Sequence, residues 1–269
     1  MEKFKIIIAI CLLFVLTNEI KAQGIEITSG GKIECVSSAS LEIQNGNFIN
    51  NGTYTMGAEN FTFSGTTNGS ISGSSNNDIY SLTINNTNGV ALNGTGYCAV
   101  NKTLTFSAGL LNTGSNFIII NDNATVSGAS TTNYINGNCR KVGNDAFTFP
   151  VGKGGKYAPI GMTAPGNTTD HFTAAYFNNN PNSLYNISLL GVGLNNVSTK
   201  EYWTLDRTNG ASNVKVTLNW DNTSGVSQIN DLRVARWDGV KWTNAGNITS
   251  SGNTSLDQYQ ISKKLAHKN

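Results

Sequence analysis

The chain is 269 residues long, with 13% charged residues, 38% hydrophobic residues and a formal net charge of +2. Asn accounts for about one residue in seven, Gly numbers 29 and Pro only 4, a mixture that opposes helix. An all-helical protein and a coiled coil are thereby excluded, and 9% aromatic content at low net charge is not the composition of a disordered tail.

Residues 1–22 read as a secretory signal peptide. Lys3 and Lys5 precede an apolar run over residues 6–16, too short for the ~20 residues that span a bilayer. Ala22 is the expected cleavage point, and no later stretch is apolar enough to give the mature chain a stable membrane span. Cys11 falls within the leader. Cys35, Cys98 and Cys139 remain, an odd number outside any CxxC, and read as buried single thiols, with a Cys98–Cys139 bridge as the alternative.

Residues 23–140 carry a repeat. Two apolar residues separated by one other recur as Leu41-x-Ile43, Phe61-x-Phe63, Leu82-x-Ile84, Leu104-x-Phe106 and Ala124-x-Val126. Asn-Gly pairs punctuate the gaps, as at Asn45-Gly46 and Asn88-Gly89. Period-two alternation puts both apolar residues on one face of a short strand. One such strand cannot bury that face alone, but coils of about 20 residues stacked on one another can. The step predicts a right-handed parallel β-helix, with Asn side chains bonding along its axis. A chain of β-hairpins is the competing reading, because Asn-Gly is also a hairpin signal; hairpin strands recur at shorter intervals.

After Arg140 the repeat stops, charge rises and all four Trp appear. Residues 141–255 contain short alternating runs, the clearest being Val214-x-Val216-x-Leu218-x-Trp220, separated by polar turns. They predict an antiparallel β-sandwich. The whole chain is therefore expected to be all-β.

The successions Asn133-Tyr134-Ile135-Asn136-Gly137, Phe147-Thr148-Phe149-Pro150-Val151-Gly152, Tyr157-Ala158-Pro159-Ile160 and Tyr202-Trp203, with the run over 232–237, resemble modules of large secreted surface proteins of Bacteroidota. The resemblance implies an adhesin-like or matrix component exported by type IX secretion, and it carries no catalytic residue. The C-terminal sorting domain usual in such proteins is not matched. Residues 256–269 turn Lys-rich and read as a basic tail after an incomplete sandwich.

No GxSxG, HExxH or P-loop pattern occurs, and the two His, His171 and His267, stand far apart. The expectation is a non-enzymatic protein without cofactor or metal. A polysaccharide-degrading β-helix would need paired carboxylates, and Glu59 with Asp78, 19 residues apart, is the one candidate pair. The expected ligand-binding residues are Trp237, Asp238 and Trp242, two rings flanking a turn where an exposed Trp would stack on a sugar. Partners are then surface glycans or other extracellular proteins. Neither half carries a basic stripe suited to nucleic acid.

Overall fold

The computed structural model describes residues 19–247, 250 and 259–265. The expected leader's residues 1–18 and Cys11 lie outside the described residues. So do residues 251–258 and 266–269. Among the described residues there is no α-helix, and a 3-10 turn at Pro181–Ser183 is the one helical element. The chain divides between Arg140 and Lys141 into two compact units, with the strand Ile135–Val142 running through the division.

The first unit is a parallel β-helix of about six turns. On one face, strands Ser40–Asn50, Asn60–Gly65, Asn77–Asn86, Cys98–Ala108 and Thr125–Ser127 pair in parallel. Their register aligns Leu41, Phe61, Leu82, Leu104 and Val126, one rung after another. A second face aligns Phe48, Ile71 and Leu92. A third aligns Ile79, Val100 and Ile120. These side chains are buried, apart from half-buried Val126. Parallel pairing between rungs overturns the hairpin alternative. The apolar pairs recur once per coil, so each meets its equivalent rather than a neighbour folded back on it.

The register corrects one repeat. Val126 pairs with Leu104, so Val126 and not Ala124 is the equivalent of Leu104, and the pair Ala124-x-Val126 is out of step by two residues. Ala124 is buried at the preceding corner, where a small side chain fills space without belonging to the ladder.

Asn holds the corners. Asn45 adopts φ 56°, and its Oδ1 accepts from the Thr66 and Thr67 amides one rung on at 2.7 and 3.1 Å. Gly65 opposite has φ 111°, and a Cβ there would stand 2.1 Å from the Asn45 Oδ1, so this corner needs Gly. Inside, buried Asn50 donates through Nδ2 to Asn77 Oδ1 at 2.9 Å. Further along, Asn121 donates to Asn101 Oδ1 at 2.7 Å and Asn136 to Asn112 Oδ1 at 2.9 Å. The Asn-rich composition thus supplies polar links between rungs where apolar packing stops.

The second unit is built from antiparallel sheets. Phe147–Phe149, Ile160–Met162, Val214–Trp220 and Tyr259–Leu265 form one sheet in that order. His171–Phe177 pairs with Tyr202–Asn209, and Val234–Trp237 with Trp242–Gly246. Val151–Lys153 and Lys156–Tyr157 form a tight hairpin through Gly154 and Gly155. The strand Tyr259–Leu265 falls within the segment expected as a basic tail. Its register sets Tyr259, Ile261, Lys263 and Leu265 opposite Trp220, Leu218, Val216 and Val214.

Candidate functional site

The hairpin carrying the expected ligand-binding residues is closed by Asp238. Its Oδ1 accepts from the Val240 and Lys241 amides, both at 2.9 Å, so this carboxylate caps the turn. Trp237 and Trp242 are directly paired across the hairpin, with ring centroids 5.7 Å apart in an edge arrangement. The loop over residues 184–200 lies against them. The Trp242 amide donates to Leu189 O at 2.8 Å and Gly191 N donates to Trp242 O at 2.7 Å. This places Tyr185 against Trp237 at 5.8 Å, Trp242 at 6.0 Å and Tyr202 at 5.6 Å. Trp242 is consequently buried and Trp237 half-buried. Neither is the exposed ring read from the turn signal, because the loop that covers them lies some 50 residues earlier in the chain. Burial raises the Tyr185 hydroxyl above its ordinary range, with the charge of Asp206 adding to the effect.

Trp237, Asp238 and Trp242 line a cavity of about 790 Å³ within the second unit. Its other walls come from the strands Tyr202–Asn209 and Val214–Trp220 and from the loops around residues 195 and 226. That volume lies within the range of roughly 300–1,000 Å³ typical of small-molecule sites.

Beside it lies an ionic cluster with no signal in local sequence. Lys156 Nζ stands 2.7 Å from Glu201 Oε2 and 2.9 Å from Asp221 Oδ1, and donates to Thr223 and Ser224 hydroxyls at 3.0 and 2.9 Å. The Tyr176 hydroxyl donates to Glu201 Oε2 at 2.6 Å. Partial burial works to raise the Asp221 carboxyl. The hydrogen bonds from Lys156 and Thr223 and the Lys156 charge outweigh it and hold the group below the usual carboxylate range. Asp221 is therefore a lysine partner that also accepts from the Thr223 amide at 2.8 Å.

In the β-helix, Glu59 and Asp78 serve separate networks. Glu59 is buried and accepts from Tyr54 Oη at 3.0 Å, Gly57 N at 2.8 Å and Tyr80 N at 2.8 Å. Asp78 accepts from Tyr97 Oη at 3.0 Å. The coil step here is 21 residues, aligning Asn60 with Ser81, so the rung places Tyr80, not Asp78, over Glu59. Cys35, Cys98 and Cys139 are buried free thiols, and the alternative Cys98–Cys139 bridge is not formed. Burial pushes the Cys98 thiol up to about 12, with the Asp78 charge contributing. Burial also raises Cys35, against the opposing hydrogen bond to Tyr54. Both are poorly disposed to ionise and hence weak nucleophiles. Among the described residues, no cluster of three or more His, Cys, Asp or Glu is arranged to hold a metal ion.

The chain matches no protein-family model, no curated protein and no solved structure.

Proposed function

We propose that this chain is a secreted, non-enzymatic, adhesin-like module of a bacterial cell surface or extracellular matrix, as the likeness to Bacteroidota surface modules implies. Its β-helix, taken as right-handed, is a stiff spacer. Its antiparallel unit, taken as a sandwich, is the part that meets other molecules. The observation that carries this reading is the unbroken inward ladder from Leu41 through Phe61 and Leu82 to Leu104. Each rung is hydrogen-bonded to the next, so bending the stack breaks backbone bonds and opens core. The carboxylates of the same unit support the reading. Glu42 accepts from Ser64 at 2.6 Å, and Glu59 and Asp78 likewise bind groups on neighbouring rungs. Charge is spent on holding coils together.

The test is to produce the full chain with its own leader in a bacterium, fractionate the cells and identify the mature N-terminus by mass spectrometry. The reading expects the protein outside the inner membrane with the leader removed near Ala22. Protein retained in the cytosol with Met1 intact would overturn it.

A further inference from the structure

The β-helix face whose inner side carries Leu82 and Leu104 turns two columns of hydroxyl side chains outward. Ser81, Thr103 and Thr125 pair in register from rung to rung, and so do Thr83, Thr105 and Ser127. They alternate with the inward Leu82, Leu104 and Val126, so both columns lie on the outer side of one sheet. Thr62 extends the second column by a rung, and Glu42 ends it. The register has no bulge across Ser81–Ile84 or Thr125–Ser127. These hydroxyl residues are half-buried or exposed, and no charged or aromatic residue stands in either column from Thr62 to Ser127. Elsewhere on the β-helix, polar side chains bond one rung to the next, as Ser70 does to Asn47 at 2.8 Å and Asn136 to Asn112 at 2.9 Å. Here Ser127 reaches Thr105 at 3.3 Å, but the hydroxyls of Thr62, Ser81, Thr83, Thr103 and Thr125 make no hydrogen bond to any described residue. Strand propensity accounts for threonine on a sheet. It does not account for two aligned columns kept free of charge and left unbonded.

We propose that this face binds ice. Rungs stand about 4.8 Å apart, and residues two apart on a strand about 6.7 Å. Tetrahedral water with oxygens about 2.75 Å apart repeats at about 4.5 Å between second neighbours and about 7.3 Å along the hexagonal axis of ice. The two columns therefore offer hydroxyls at nearly the same two-dimensional spacing. Each hydroxyl both donates and accepts, so it can hold a lattice water, and the threonine methyls exclude loose water between them. One such contact is weak, but a crystal face meets the whole array at once. The chemistry of the columns decides against other extended partners. The face of a sugar ring would need an aromatic platform, and a charged polymer would need charges of opposite sign; the columns hold neither. Ice binding by this face is independent of the spacer role and of export.

The experiment is slow growth of an ice crystal in a dilute solution of the full chain, with the protein then measured in the ice and in the remaining liquid. Enrichment in the ice and a faceted crystal are expected. Thr105→Tyr, in the middle of the array, should lose the enrichment. Ser70→Tyr, on the second face, should keep it, with far-ultraviolet circular dichroism as the check on folding. Partitioning of the wild type needs no variant and so survives a misfolded one. A parallel arm incubates the chain with microcrystalline cellulose. Exclusion of the wild type from the ice, equal loss in both folded variants, or capture by cellulose with none by ice would each overturn the proposal.

Discussion

At the level of single residues, the most constrained side chain in the β-helix is Glu59. It is fully buried and accepts from Tyr54, Gly57 and Tyr80, so one carboxylate satisfies three donors drawn from two rungs. Glu59→Leu keeps the bulk and strands those donors, each costing roughly 1–3 kcal/mol when buried and unpaired. We expect a loss of about 3 kcal/mol or more, and a smaller one for Glu59→Gln, which retains an acceptor oxygen. Urea unfolding of the three proteins compares them; equal midpoints for wild type and Glu59→Leu would mean that water replaces the carboxylate. A second constrained position is Gly210. Its φ is 85°, and a Cβ would stand 1.5 Å from Asp170 Oδ1, on a buried carboxylate that also accepts from Ser212. Gly210→Ala combines left-handed backbone strain with a clash and is expected to cost more than about 1–2 kcal/mol. A melting temperature within error of wild type would refute that.

At the level of elements, the unit of construction is the rung, and its worth depends on its place in the stack. Phe63 is fully buried between Ile43 and Ile84 in the ladder and stacks on Phe61 at 5.3 Å. Val126 closes the same face and is half-buried. Phe63→Ala is therefore expected to cost roughly 3–5 kcal/mol, as cavity-forming truncations of buried aromatics do, and Val126→Ala less than about 1 kcal/mol. Chemical denaturation that gave the two variants equal losses would show that the ladder does not distribute stability in this way. The same contrast explains what could be read from the sequence. Apolar pairs at one coil's spacing encode the ladder directly, because each residue's partner is its own repeat. Ala124 misled because a corner also buries a small side chain, and burial alone does not distinguish ladder from corner. The candidate site was less legible. Trp237 and Trp242 share a short hairpin and were visible together, but Tyr185, which covers them, and the Lys156–Glu201–Asp221 cluster come together only through tertiary pairing. Nothing in the spacing of Lys156 and Asp221 announces that they are 2.9 Å apart.

At the level of the whole molecule, the two units carry titrating groups of opposite sense, which gives a way to address each separately. In the second unit the folded Asp221 carboxyl lies below its ordinary value of 3.8. A depressed carboxyl contributes stability that is present above the unfolded value and is lost as pH falls through the folded one. In the β-helix the Cys98 thiol is raised from 9.0 to about 12. Its contribution is complete below pH 9.0 and is lost as pH rises toward 12. All four Trp lie beyond Arg140, so tryptophan fluorescence reports the second unit alone. Its urea midpoint is expected to fall as pH drops below 3.8, the unfolded reference of Asp221. Asp221→Asn removes the titrating group and should flatten that part of the profile, even though it also weakens the contact with Lys156. On the alkaline side, amide exchange of the strand Cys98–Ala108 should quicken above pH 9.0 by more than the intrinsic base-catalysed rate, and Cys98→Ala should remove the excess. A fluorescence midpoint equally pH-dependent in wild type and Asp221→Asn would show that other carboxylates set the acid limit. The Lys156 cluster would then be a local contact without a part in the stability of its unit.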